Sequence, residues 1–165
     1  MKGLVAVADL RYGSGDWVAK GGGIEMVKIN HIAVVVEDVN TALNFWQKAL
    51  GLPLAQIEHN EGEEVDIAFL PLGDGDKDSA GEIELIAPFT DGSGVAKYLA
   101  KRGAGMHHLC LEVDDIDAVM AQLVANGTEL INDVARTRPD GRRYAFVHPR
   151  STGGVLLELY EVKAP

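Results

Sequence analysis

Apolar residues in this chain follow strand-like runs and helix-like spacing in a fixed order. Residues 29–36 form a mostly β-branched apolar run, which predicts a buried strand. Asp38 then stands where a helix would be capped, and apolar residues recur at helical spacing as far as Leu50. Three further strand patterns follow, at about 54–64, 65–72 and 82–88. The first half of the chain therefore predicts the order β-α-β-β-β.

The second half repeats this order. It begins after a short linker helix expected over 93–103, with a strand at 107–113, a capping Asp115 and a helix through Asn126. Strand patterns then follow near 129–136, 143–148 and 154–162. Such a repeat predicts an α+β fold of two tandem βαβββ modules with pseudo-twofold symmetry, whose curved mixed sheet surrounds a cleft.

The repeat also predicts the domain boundaries. A single domain is expected over 27–163, with module one at 27–90, the linker helix at 93–103 and module two at 104–163. Residues 1–26 are rich in glycine and show neither strand-like alternation nor helical spacing of apolar residues, so we expect a poorly ordered N-terminal extension. An open alternative is that these residues are translated leader sequence and that the protein itself starts at Met26.

Each module carries one histidine near the start of its first strand and one glutamate inside its last strand. His31 and His108 are 77 residues apart, and Glu84 and Glu158 are 74 residues apart. An ionised carboxylate inside an apolar strand costs several kcal/mol unless it is paired or binds a metal. The four symmetric positions therefore predict one metal site, and two imidazoles with two carboxylates suit Zn, Co, Mn, Ni or Fe(II).

Two neighbouring residues receive structural interpretations. Cys110 aligns with Ala33 in the repeat and is expected in the core; as the single cysteine it excludes an intrachain disulfide and fits a reducing cytosol. His107 aligns with Asn30 and, by strand alternation, points away from His108, so we expect a supporting or structural role.

The net charge of −10 limits the partners that we expect. A field of this sign repels nucleic acid and anionic membranes, and no apolar run is long enough to span a bilayer. Without a secretory leader pattern, a cytoplasmic location is expected. Five of the seven arginines nevertheless lie within fifteen positions, at 136, 138, 142, 143 and 150. They indicate either a basic face that balances an acidic protein or an anion site.

Four segments together resemble a known superfamily. They are INHIA at 29–33, EIELIAP at 82–88, GMHHL at 105–109 and HPRSTGGVLLEL at 148–159. Over 27–162 the chain resembles the vicinal oxygen chelate superfamily, and within it the methylmalonyl-CoA epimerase family. The resemblance implies a homodimer and a role in propionate metabolism. It also implies a divalent metal (Co, Zn, Mn, Ni or Mg) on four ligands: His31, Glu84, His108 and Glu158.

The resemblance further implies the chemistry. The expected reaction is epimerisation of (R)/(S)-methylmalonyl-CoA by α-proton abstraction through a metal-stabilised enolate. Glu158 corresponds to one of the two carboxylate bases of such enzymes and Asp66 to the other, although Asp66 is one methylene shorter than glutamate and Glu64 is an alternative. Basic and hydroxyl side chains expected to contact CoA are Arg143, Arg150 and Ser151.

Three other functions remain open from the sequence. A glyoxalase I type (lactoylglutathione lyase) isomerase uses the same metal ligands. An extradiol dioxygenase prefers two histidines and one carboxylate with open positions for oxygen, so a fourth ligand at Glu84 disfavours it. A metal-free binder, such as an antibiotic-sequestering protein, has no physical need for all four ligand side chains.

Overall fold

Eight strands form one continuous mixed sheet in a computed structural model that describes residues 27–73 and 81–161. The predicted N-terminal extension lies outside these residues. The strands are β1 Val27–Val35, β2 Gln56–Asn60, β3 Val65–Pro71, β4 Glu82–Pro88, β5 Gly105–Val113, β6 Arg136–Thr137, β7 Arg143–Val147 and β8 Leu156–Glu161.

The strand order confirms the predicted pair of modules. Across the sheet it is β2-β3-β4-β1-β5-β8-β7-β6. From the centre outward, the strands of the two halves therefore follow the same order. β1 pairs with β4 in parallel and β5 pairs with β8 in parallel, whereas β1 and β5 meet antiparallel. The pseudo-twofold axis therefore passes between β1 and β5, and the sheet stays open rather than closing into a barrel.

Within the residues that the structure describes, three α-helices accompany the sheet: α1 Val39–Leu43, α2 Gly94–Arg102 and α3 Ile116–Ala125. Both predicted caps are confirmed, since the Asp38 side chain accepts from the Thr41 amide at 2.7 Å and Asp115 accepts from the Ala118 amide at 2.9 Å. A π-helical segment, Asn44–Ala49, continues α1. None of these helices is long and apolar enough to cross a membrane.

Two clusters of the hydrophobic core lie on the helix side of the sheet, one in each module, and a third that contains Ile67 and Ile86 lies on the cleft side. Leu43 of α1 packs with Leu70 and Leu85, and Ile116 of α3 packs with Leu159. Strand alternation leaves the opposite face of the central strands free for other side chains. The polar residues of the cleft occupy that face.

The strand predicted near 129–136 is much shorter than expected. Only β6, at its end, pairs regularly, and Leu130 forms an isolated bridge with Val147. The side-chain oxygen of Asn132 accepts the Phe146 amide at 3.0 Å. A side chain therefore satisfies a backbone donor that a regular ladder would have paired with a carbonyl group.

Gly81 places the start of β4 tightly against β1. Its φ is +84°, and a Cβ there would lie 2.8 Å from the Asn30 carbonyl oxygen and 2.9 Å from that of Ile29. Gly51 has almost the same φ, +85°, but a Cβ there would meet nothing within 4 Å. Substitution at either glycine would strain the backbone, but of the two only Gly81 would also bring a steric clash with β1. Comparing the two positions therefore distinguishes the two effects.

Gly51→Ala is expected to lower the free energy of unfolding by about 1–2 kcal/mol, the penalty for a left-handed residue with a Cβ. Gly81→Ala is expected to cost more, because the new methyl group must also displace the β1 backbone next to His31. Urea denaturation of both variants measures the difference. Equal losses of unfolding free energy in the two variants would show that β1 is not packed closely against Gly81.

Candidate active site

Two adjacent rows of the sheet carry polar side chains across its centre. From β4 to β8, the first row is Glu82, His31, Cys110 and Glu158. The next row is Glu84, Ala33 and His108. The pseudo-twofold exchanges the two rows, so each places a histidine and a glutamate on either side of one small residue.

The small residues at the centre provide the floor of the site. Ala33 and Cys110 are both fully buried, which confirms the predicted core position of the cysteine, and burial raises the pKa of the Cys110 thiol. His31 and Glu158 lie on strands to either side of Cys110. Because the residue between them is small, their longer side chains can lean over it and meet.

Three of the four predicted metal ligands converge on one point. The two histidines approach at 2.9 Å between Nε2 of His31 and Nε2 of His108. Oε2 of Glu158 lies 3.0 Å from Nε2 of His108 and 3.4 Å from Nε2 of His31. Glu84 is adjacent but faces the other ring nitrogen, with its Oε1 3.5 Å from Nδ1 of His31.

This donor set fits a divalent metal ion. Nitrogen and oxygen ligands lie about 2.0–2.2 Å from such a metal, which separates neighbouring ligand atoms by about 3.0–3.5 Å. The three separations among His31, His108 and Glu158 are close to this range. In addition, Oε1 of Glu158 is buried and accepts no hydrogen bond from the described residues. A cation would satisfy these otherwise crowded electron-pair donors.

The two buried glutamates have opposite pKa shifts. Burial opposes ionisation of Glu158, but hydrogen bonds from His108 and His31, with their charges, outweigh it and lower the pKa of Glu158 to about 2. Burial raises the pKa of Glu84 to about 7, because the charge of His31 offsets it only in part. Burial disfavours the charged form of His31, yet Glu158 and Glu84 raise its pKa overall.

Each histidine is oriented by the residue that precedes it. Nδ1 of His31 lies 2.9 Å from the side-chain oxygen of Asn30, whose nitrogen donates to Glu112. Nδ1 of His108 lies 2.9 Å from Nδ1 of His107, and burial together with the charge of His108 lowers the pKa of His107 to about 4. Such contacts at Nδ1 leave Nε2 free to bind a metal. His107 reaches its neighbour despite strand alternation.

The structure does not bring Asp66 into the cleft, so it gives no support to the predicted role of this residue as the second base. Asp66 pairs with Ala87 in register and therefore lies on the helix side of the sheet, opposite to the face that carries Glu158. Its carboxylate contacts Nδ1 of His59 at 2.6 Å and does not line the cleft. The alternative, Glu64, occupies the turn before β3 with φ +57° and does not line the cleft either.

The side chains expected to contact CoA also lie outside the cleft wall. Arg143 forms a two-pronged ion pair with Asp117 at 2.8 and 2.7 Å. Arg150 faces Glu129 at 3.4 Å, and the Ser151 hydroxyl accepts from the Glu129 amide at 2.9 Å. The structure thus gives Arg143 a structural partner and leaves the contacts of Arg150 and Ser151 with CoA as predictions.

The cleft has a volume of about 290 Å³, and several of its residues are not among the ligands, bases or CoA contacts predicted from the sequence. Its wall from β7, β8 and the loop before β7 contains Arg138, Tyr144, Phe146 and Tyr160. The alternation of Tyr144 and Phe146 along β7 was the available signal, since Phe146 pairs with Glu158 in register. Glu82 lines the same cleft from β4.

In metal-free protein, Glu84→Gln is expected to remove a fall in stability between about pH 4.5 and pH 7. The unfolded chain loses the Glu84 proton near pH 4.5, whereas the folded chain keeps it to about pH 7. The folded state therefore binds more protons in this window and loses up to about 3 kcal/mol as pH rises. Urea denaturation of EDTA-treated wild type and variant at pH 5 and pH 8 measures this loss. Equal pH slopes would contradict it.

Comparison with known proteins places this architecture in a family. Residues 30–146 match the model of the Glyoxalase/Bleomycin resistance protein/Dioxygenase superfamily. The mitochondrial methylmalonyl-CoA epimerase of Mus musculus is 33% identical over 133 residues, which cover 80% of this chain and 71% of the relative. The ethylmalonyl-CoA/methylmalonyl-CoA epimerase of Cereibacter sphaeroides is 30% identical over 137 residues, 82% of this chain and 98% of the relative.

A solved structure gives the same result at the level of the fold. Methylmalonyl-CoA epimerase in complex with methylmalonyl-CoA and NH4+ matches with a TM-score of 0.74 and 32% identity. The match covers 84% of this chain and 96% of that one. The chain therefore belongs to the glyoxalase, bleomycin resistance protein and dioxygenase superfamily, and within it to the methylmalonyl-CoA epimerase family.

Proposed function

We propose that this protein is a metal-dependent epimerase that interconverts (R)- and (S)-methylmalonyl-CoA. The observation that carries the proposal is the convergence of His31, His108 and Glu158 at the floor of a cleft. Membership of the epimerase family supports the choice of substrate. The homodimer and the cytoplasmic location implied earlier stay predictions.

His31, His108, Glu158 and Glu84 would hold the metal. When bound, a divalent ion supplies Lewis-acid stabilisation of the negative charge that develops on the substrate oxygens as the α-proton leaves. The contacts of Asn30 and His107 keep the two imidazoles oriented for this role.

Epimerisation requires a proton to leave one face of the α-carbon and another to arrive at the opposite face. We assign the first role to Glu158, which is ionised and whose Oε1 has no hydrogen-bond partner in the described residues. We assign the opposing role to Glu82. Burial raises the pKa of Glu82, and this favours the protonated form that the return step requires.

The positions of the two carboxylates suit a base and an acid that act on opposite faces of the α-carbon. Glu82 and Glu158 belong to the same row of the sheet, separated by β1 and β5. Three strand spacings correspond to about 14 Å between their Cα atoms. Both side chains line the cleft, so a small acyl group can lie between them.

Metal-loaded protein in D2O is expected to incorporate deuterium at the α-carbon of methylmalonyl-CoA. EDTA should abolish the exchange and added metal should restore it, as NMR or mass spectrometry of the thioester can show. The hemithioacetal of methylglyoxal and glutathione serves as the comparison substrate. Turnover of the hemithioacetal without exchange into the thioester would instead identify a glyoxalase I type enzyme.

Glu158→Gln and Glu82→Gln are each expected to lower α-proton exchange by about 10²–10⁴-fold, the usual effect of losing a positioned acid or base. Asp66→Asn is the matched control and should stay within about twofold of wild type, because Asp66 lies on the other face of the sheet. Rates measured from a single starting epimer test both statements. Full exchange by the Glu82 variant would exclude Glu82 as the opposing acid.

A further inference from the structure

Arg138 places a guanidinium group in the cleft with unused hydrogen-bond donors. Its Nη2 lies 4.0 Å from Oε1 of Glu158, beyond hydrogen-bonding distance, and its buried Nε has no hydrogen-bond partner among the described residues. None of its five side-chain N–H groups donates to an acceptor in the described residues. A buried donor without an acceptor costs about 1–3 kcal/mol, which a bound acceptor would recover.

Two aromatic rings hold this guanidinium in place. Its central carbon lies 5.2 Å from the centre of the Tyr144 ring and 5.8 Å from that of Tyr160. Cation–π contacts of this kind fix the plane of the group without using its N–H donors. Arg138 is therefore oriented before any ligand arrives, and a preorganised donor loses little entropy on binding.

The neighbouring arginines differ from Arg138 in this respect. Arg142 donates from Nε to Asp140 at 2.7 Å, and Arg143 forms its two-pronged pair with Asp117. Arg142 also lines the cleft, but its guanidinium is already paired with Asp140, whereas Arg138 donates no side-chain hydrogen bond to a described residue.

The charge of the cleft limits what Arg138 can bind. The wall also carries several carboxylates, at 58, 63, 82, 84 and 158. An anion is therefore repelled from most of the cleft and attracted to the side that carries Arg138 and Arg142. The planar guanidinium matches the two oxygens of a carboxylate, which it can bind with two parallel hydrogen bonds.

We propose that Arg138 binds the free carboxylate of a malonyl-type acyl thioester and so selects substrates that carry this group. The inference rests on the proposed epimerase function and adds a specificity-determining residue to it. A site that presents a buried donor to a carboxylate disfavours acyl groups that lack one, because the donor then stays unpaired.

The test measures binding of three probes to metal-loaded protein by isothermal titration calorimetry: malonyl-CoA, propionyl-CoA and malonate. Arg138→Gln is expected to weaken malonyl-CoA and malonate at least tenfold and to change propionyl-CoA less than twofold. Arg138→Lys keeps the positive charge near Glu158 but loses the planar fork, so it should recover only part of the affinity. Arg136→Gln, an exposed residue outside the cleft wall, controls for net charge.

The outcomes separate this inference from the proposed function. Equal losses for malonyl-CoA and propionyl-CoA, or none for either, would overturn the role of Arg138 while leaving an acyl-CoA enzyme. Malonate binding that depends on Arg138, without binding of either thioester, would support the carboxylate site and contradict the CoA substrate. Metal content and melting temperature of each variant confirm that only fully loaded, folded protein is compared.

Discussion

The burial of an ionised carboxylate at the centre of the sheet is the constraint on which the site depends. Glu158 is only 1% exposed, and a charge at such a position is expensive unless other groups compensate for it. His31 and His108 supply part of this compensation through contacts at 3.4 and 3.0 Å. The remaining oxygen accepts no hydrogen bond from the described residues and lies 4.0 Å from Nη2 of Arg138. The close approach of Oε2 and the two Nε2 atoms fits the ligands of a bound cation better than it fits a structural ion pair.

The pseudo-twofold arrangement of the modules explains how one sheet can assemble such a cluster. Each module contributes a histidine from its first strand and a glutamate from its last, and the antiparallel pairing of β1 with β5 brings the two sets together. Because Ala33 and Cys110 have small side chains, the longer histidine and glutamate side chains can meet above them. The symmetry is broken where function requires it, since Glu82 corresponds in the repeat to Leu156 and places an additional carboxylate on one side only.

The cluster of two histidines and two glutamates was predictable from sequence because each member is a local anomaly. A glutamate within an apolar strand is conspicuous, and its recurrence at the matching position of the second module made the interpretation specific. Asp66 could not be placed in this way, because the face of β3 that it occupies depends on register set by the turn around Glu64. The sequence did show Arg138 within an arginine cluster, but not its orientation, which depends on the contacts with Tyr144 and Tyr160 that folding creates.

Metal stoichiometry tests the central claim most directly. Protein stripped with EDTA and then reloaded with Co²⁺ can be analysed by elemental analysis and by its visible absorption spectrum. The arrangement of His31, His108 and Glu158 predicts one ion per chain in the wild type, and loss of both signals in His31→Ala, His108→Ala and Glu158→Ala variants that remain folded. One tightly bound ion per chain in all three variants would place the metal elsewhere and contradict the account.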